Sequence, residues 1–244
     1  TADDGNGYGQ YYEYNSGKTS ETTGTGNLTF MSKMQKSAVN ILKNHSFESA
    51  GEHNFTAWDE TTGTASGTYS SEKSHIGARS YKITRPAESN CSRAIGFYHI
   101  RIEGGKTYTL SAYVNTSGMT SLGNGASLLF IDSEKVYGSE CITETSDKWQ
   151  RLALTFTAKR TEDVSICMNL SGATGSVYFD NIQLQEGDLS EYNLLENAGF
   201  EDNISSSPRG WNPSTYAGSV SETQKISGNR AVHISGSLTK HFHY

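Results

Sequence analysis

Glu48 and Asp180 are the two carboxylates whose placement best suits joint chemistry. They lie 132 residues apart, Asp180 inside the last strand-like run, Val177-Tyr-Phe-Asp180-Asn-Ile-Gln-Leu184. The first and last strands of a β-sandwich can lie side by side, so in that architecture the two side chains converge. Two carboxylates supplemented by backbone carbonyls form a hard oxygen site. It suits Ca²⁺, which takes roughly six to eight oxygens at about 2.3–2.6 Å. The other reading is that both accept hydrogen bonds from turn amides or pair with Lys and Arg. Apolar parity also changes here, since Val177 and Phe179 share one face while Ile182 and Leu184 share the other. A bulge near Asp180 is expected, and it would re-aim the carboxylate.

Other chemistries lack their residues. The chain holds no Ser/His/Asp order, no H-E-x-x-H and no phosphate-cradling glycine loop. The acidic pairs Asp3/Asp4 and Asp59/Glu60 sit in polar loops, and nothing singles them out for glycosidase work. The reading is therefore non-catalytic. Net charge is −6 with no Lys/Arg block, which argues against nucleic acid. No apolar run reaches the ~20 residues of a membrane helix, so membrane insertion is not expected. The three cysteines have no C-x-x-C spacing and make no zinc site. Cys141 and Cys167 either pair across neighbouring strands or serve as small buried hydrophobes.

The elements that position these residues follow from patterning. With 34% hydrophobic and 19% charged residues and many Gly, Ser, Thr and Tyr, the chain suits strands with one wet face. Lys106 to Thr116 is the clearest strand: Tyr108, Leu110, Ala112 and Val114 fall on one face, and Thr109, Ser111 and Tyr113 on the other. Leu28 to Met34, Gly67 to Glu72, Ser80 to Thr84 and Arg93 to Ile102 read as strands too. So do Ala126 to Asp132, Trp149 to Thr157, Val164 to Leu170 and Ser176 to Gln185, separated by glycine-rich turns. Trp149, opening an alternating strand, is expected in the core. The fold class is all-β, a sandwich of about eight to ten strands.

A repeat divides the chain. Asn40-Ile-Leu-Lys-Asn-His-Ser-Phe47-Glu48 returns 153 residues later as Asn193-Leu-Leu-Glu-Asn-Ala-Gly-Phe200-Glu201, each followed by a tryptophan, Trp58 and Trp211. Trp58 is either a loop-tip platform or a cap on the end of the sandwich. Ser74 to Ile83 matches Lys225 to Ile234. The expected organisation is a Tyr/Gly/Ser-rich linker or repeat end at 1–36, one sandwich module at 37–188, and an incomplete second copy at 189–244. That second copy ends before any counterpart of Asp180 or of the Lys106–Thr116 strand. It is expected to be partly ordered, or to pair its open strand edges with another segment or chain.

Five stretches in order resemble carbohydrate-binding modules of the family 4/9/22 type, over about 150 residues. They are the Asn-x-Leu-x-Asn-x-x-Phe-Glu signature, Gly77-x-x-Ser-x-x-Ile, Gly105-Lys-Thr-Tyr108-Thr-Leu-Ser-Ala-Tyr-Val, Trp149-Gln-Arg-Leu-Ala-Leu-Thr-Phe156 and the closing run through Asp180. The resemblance implies a galactose-binding-domain-like jelly roll. It also implies a structural Ca²⁺ at Glu48 and Asp180, and a polysaccharide or glycan partner recognised by aromatic rings stacked on sugar faces. The aromatic pool is Tyr69, Phe97, Tyr98, His99, Tyr113, Phe130 and Tyr137. Tyr113 leads because its parity is opposite to the apolar set of its strand; Tyr98 and His99 follow. Arg93, Arg101 and Glu140 could add hydrogen bonds.

Gly9-Gln-Tyr-Tyr12-Glu-Tyr14-Asn15-Ser-Gly17 resembles one unit of the tyrosine-aspartate repeat of large Rhs-type proteins, the alternative being a flexible linker. These features place the chain in an extracellular or cell-surface modular protein, with neighbouring modules as partners. A glycan-binding module and a spacer or adhesion module compete. The first should cluster exposed aromatics, and the second should bury or scatter them.

Overall fold

The computed structural model describes residues 39–49, 56–59, 66–88, 93–121, 123–204, 207–213, 218–223, 225, 229–234 and 242–243. Contacts divide the chain into two compact units, Thr1–Ala38 with Ser190–Asn193, and Val39–Leu189 with Leu194–Tyr244. The linker or repeat end at 1–36, including the Leu28–Met34 strand, lies outside the described residues. In the first unit, Ser190 Oγ donates to the Glu191 carbonyl at 3.1 Å.

Among the described residues, every strand lies in the larger unit. They are β1 (Thr56–Asp59), β2 (Ser66–Ser70), β3 (Ser80–Arg85), β4 (Arg93–Ile102) and β5 (Thr107–Ser121). Next come β6 (Gly125–Ile131), β7 (Val136–Gly138), β8 (Gln150–Thr157), β9 (Glu162–Ser171) and β10 (Thr174–Glu186). The second copy adds β11 (Asn203–Ile204), β12 (Ser207–Pro208), β13 (Asn212–Pro213), β14 (Gly218–Ser221), β15 (Ala231–Ile234) and β16 (Phe242–His243). Two antiparallel five-stranded sheets, β1-β4-β9-β6-β7 and β2-β3-β10-β5-β8, face each other as a jelly-roll sandwich. Among the described residues after Leu189, the strands form three two-stranded pairs, β11-β12, β13-β16 and β14-β15.

Between the sheets, alternation along each strand supplies the core. Leu110, Ala112 and Val114 of β5 meet Leu128 and Phe130 of β6 and Ile166, Met168 and Leu170 of β9 in one buried cluster. The strand over Lys106–Thr116 is present and runs on to Ser121. There its backbone approaches β10 so closely that a Cβ on Gly175 (φ +94°) would lie 2.2 Å from the Gly118 carbonyl oxygen. The register of β5 against β10 shifts between Asp180 and Gln183, and Asn181 adopts φ 48°. This bulge lets Val177 and Phe179, and then Ile182 and Leu184, all enter the core.

The repeat signature runs along β10. The Ile41 amide donates to the Leu184 carbonyl (2.8 Å) and the Ile182 amide to the His45 carbonyl (2.9 Å). Asn40 bonds both ways, donating to the Ile182 carbonyl (2.9 Å) and accepting from the Leu184 amide (3.1 Å). Phe47 is fully buried, its ring 5.7 Å from that of Tyr81 and 6.3 Å from that of Tyr69. Cys141 is exposed and Cys167 buried, and the two do not pair; Cys91 lies outside the described residues. Trp149 differs from expectation. It precedes β8 and is only partly buried, tilted against His75 with ring centroids 5.6 Å apart.

Candidate functional site

The turn over residues 75–79 brings Glu48 and Asp180 to one place. Asp180 Oδ2 accepts the amides of His75 (2.7 Å) and Ile76 (3.2 Å), while Oδ1 accepts that of Asn181 (2.7 Å). Glu48 Oε1 accepts the amides of Ala78 and Arg79, both at 3.0 Å, and the Arg79 guanidinium donates to the Glu48 carbonyl at 3.2 Å. At the apex, Gly77 has φ +84°, and a Cβ there would lie 2.4 Å from Glu48 Oε1. The carboxylates thus hold the turn from both sides, as the amide-accepting alternative requires.

That role does not use every lone pair of the two carboxylates. A carboxylate offers about four lone-pair sites, more than these amides use. Burial pushes the fully enclosed Asp180 carboxyl up to about 7, with the nearby Glu48 charge adding to the rise and the amide bonds opposing it. A divalent ion would offset both costs. Among the described residues no cluster of three or more His, Cys, Asp or Glu forms, so further ligands would be backbone carbonyls or water.

The residues expected to meet sugar do not share one surface. Tyr113 lies on the side of β5 away from the core, stacked on His75 at 3.9 Å and 14°, with the Arg151 guanidinium 5.5 Å from its centroid. With Trp149 against His75, these four form a half-buried group. Tyr69, Tyr98 and Tyr137 instead pack against the core. Tyr69 accepts a bond from Asn44 Nδ2 (3.4 Å), Tyr98 is bonded to the Lys43 backbone, and burial raises both phenol pKa values. Lys135 stands 4.2 Å over the Tyr137 ring. Phe130 is a core residue, stacked on Phe156 at 3.6 Å. His99 is exposed on β4, its Nδ1 2.9 Å from Ser165 Oγ. Arg93 begins β4, and its side chain, like that of Phe97, lies outside those described.

The outer side of the first sheet holds residues that sequence reasoning passed over. Val164, Ile166, Met168 and Leu170 of β9 face the core, which turns Ser165, Cys167 and Asn169 outward. Across the ladder, Asn169 pairs with Ser127, Cys167 with Leu129 and Ser165 with Ile131. On the other flank β4 sets His99 opposite Ser165, and β1 sets Trp58 opposite Ile95. Asn169 Nδ2 donates to Ser127 Oγ at 2.9 Å. Asn169 Oδ1 is buried with no hydrogen-bond partner among the described residues. Beside it, Leu129 and Cys167 form a small apolar cluster with Ile131, next to the exposed Val136. The parity rule that selected Tyr113 on β5 selects Asn169 on β9 equally well.

A family model described as a carbohydrate binding domain matches residues 39–173, more than half of the 244. No curated protein matches. Among solved structures, a bacteriophage CBA120 tailspike enzymatic domain is 16% identical, with 61% of this chain and 22% of that one covered at a TM-score of 0.43. The CBM22-1 xylan-binding domain from Paenibacillus barcinonensis is 15% identical, covering 63% and 98% of the two chains at a TM-score of 0.42. A family 61 module solved in complex with β-1,4-galactotriose is 14% identical, covering 62% and 100% at 0.45. At these identities and scores the likenesses carry no information about a ligand. The family match does: through residues 39–173 the chain belongs to the carbohydrate binding domain family.

Proposed function

We propose that this module is a non-catalytic glycan binder whose ligand lies across the outer face of the β1-β4-β9-β6-β7 sheet. The observation that carries the reading is Asn169, whose Oδ1 is buried without a partner among the described residues. Leaving such an acceptor unmet costs about 1–3 kcal/mol, and a sugar hydroxyl would recover it. Ser127 completes the polar strip, and the partly buried Ile131, packed on the buried Leu129 and Cys167, offers an apolar surface for the C–H face of a pyranose. His99 and Val136, both exposed, stand at its rim. Tyr113 serves less well as a platform, because His75 covers its ring and Arg151 lies close to it.

Retention on immobilised polysaccharides tests this. Asn169→Ala should weaken binding about tenfold on the matching glycan, consistent with losing one buried hydrogen bond. Its unfolding midpoint should stay at or above the parent value. Unchanged retention would remove Asn169 from the site.

The same reading includes a structural Ca²⁺ held by Glu48 and Asp180, supported by two carboxylates meeting on one turn. It also includes an extracellular or cell-surface parent of modular build, supported by the tandem signature and the tyrosine-rich stretch before it. The spacer alternative is favoured by one observation: three of the expected aromatics, Tyr69, Tyr98 and Tyr137, pack against the core. A parent protein that binds nothing on a broad glycan array would decide for the spacer.

A further inference from the structure

The first signature receives a carboxylate from the second. Glu196 lies against the backbone of Asn44, His45 and Ser46, three consecutive residues, and its Oε1 accepts the Ser46 hydroxyl at 3.3 Å. Its Oε2 lies 3.3 Å from His45 Nε2, and the His45 side chain is only 1% exposed. Consecutive amides that converge in this way form a concavity suited to an anion. Asn44 adopts φ 48°, the left-handed conformation that bends this segment. A second contact flanks it. Lys43 Nζ meets Asp202 at 2.9 Å, and Arg209 holds the other oxygen of Asp202 at 3.0 Å. Gly199 packs so near Val39 that a Cβ on it would stand 2.9 Å from Cγ1.

The repeat alignment makes the contact directional. Glu196 occupies the signature position that Lys43 holds in the first copy, so the two copies carry opposite charges there. His45 and Ser46 become Ala198 and Gly199 in the second copy, which therefore lacks the ring and the hydroxyl that flank Glu196. We propose that the Asn44–Ser46 turn is a docking site for an acidic signature residue of the following module, fixing the order and orientation of consecutive copies. The partner is a second copy of the module with Glu where the first has Lys. Burial raises the Glu196 carboxyl and lowers His45 to about 4, so the ring is neutral at pH 7 and the Ser46 hydroxyl, with the backbone around it, carries the recognition.

Hydrogen exchange on the full chain tests the docking. In Glu196→Ala the amides of residues 44–46 should exchange about tenfold faster than in the parent, while β5 and β10 keep their protection. Glu196→Gln, which keeps the shape and loses the charge, should fall between the two. Charge reversal gives an independent arm. Lys43→Glu should loosen the same peptide, and Lys43→Glu with Asp202→Lys should restore it. Parent-like exchange at 44–46 in Glu196→Ala, or no recovery in the double variant, would overturn the proposal.

Discussion

The two signature turns are nearly the same object built from different surroundings. Asn44 and Asn197 adopt φ 48° and 50°, and Phe47 and Phe200 adopt 61° and 59°. Asn44 bridges the amide and carbonyl of Ser49 at 2.9 and 2.7 Å; Asn197 does the same with Asp202 at 2.9 and 2.8 Å. Glu48 accepts the amides of Ala78 and Arg79, and Glu201 those of Asn229 and Arg230, with each arginine donating back to its glutamate's carbonyl. A glutamate that makes the same bonds in both copies is first a structural part of the module. The copies differ in what is added. The first has Asp180 on the far side of its turn, a core under Phe47, and an acceptor turn for Glu196. The second has the half-exposed Phe200 against Trp211, whose indole donates to the Asn197 carbonyl at 3.2 Å.

Equivalent substitutions should therefore have unequal effects. Phe47→Ala should cost about 3–5 kcal/mol in urea unfolding, as expected for a fully buried ring, and Phe200→Ala clearly less. Equal costs would mean that the second copy has a comparable core.

His45 sharpens the contrast with Ala198. Its folded pKa, about 4, lies below the unfolded value of 6.5, so the unfolded chain binds the proton first. The stability this residue contributes is complete above pH 6.5 and lost as pH falls toward 4, by about 3 kcal/mol at most. The raised carboxyls of Glu196 and Asp180 act in the opposite sense. The observable is therefore the gap between parent and His45→Gln, which should close or reverse from pH 7 to 4. A constant gap would contradict the buried neutral ring.

A Ca²⁺ on Glu48 and Asp180 should raise stability by about 2.7 kcal/mol at a hundredfold excess over its dissociation constant. Asp180→Asn should abolish that increment. A thermal transition unmoved by both Ca²⁺ and chelator, with no metal found by elemental analysis, removes the ion and leaves the turn-holding role. The smallest expected difference is between Glu48→Gln and Glu201→Gln. Each weakens charge-assisted amide bonds worth about 1.5–3 kcal/mol, and the first should cost more because its turn closes on the core.

Much of the sandwich was legible in the residues, for physical reasons. Alternation along Lys106–Thr116 located β5, and the parity change from Phe179 to Ile182 located the bulge that re-aims Asp180. β1 and β7 were not legible. They are four and three residues long, without alternation, and exist because β4 and β6 offer them an edge. Tyr113 was correctly assigned to the outer face, but its cover by His75 depends on a loop 38 residues earlier in the chain. Asn169 was visible by parity and carried no chemical flag. Its unmet oxygen is a property of the assembled sheet. The docking of Glu196 onto Asn44–Ser46 is likewise non-local.

The central claim is that the outer face of the β9-β6 ladder binds the sugar. Its most direct test is a glycan array probed with the parent, Asn169→Ala and Tyr113→Ala, each first shown to unfold cooperatively. The account predicts a defined set of bound glycans for the parent, about tenfold weaker binding for Asn169→Ala, and near-parent binding for Tyr113→Ala. Loss of binding in Tyr113→Ala with Asn169→Ala unaffected would contradict it and move the site to the opposite sheet.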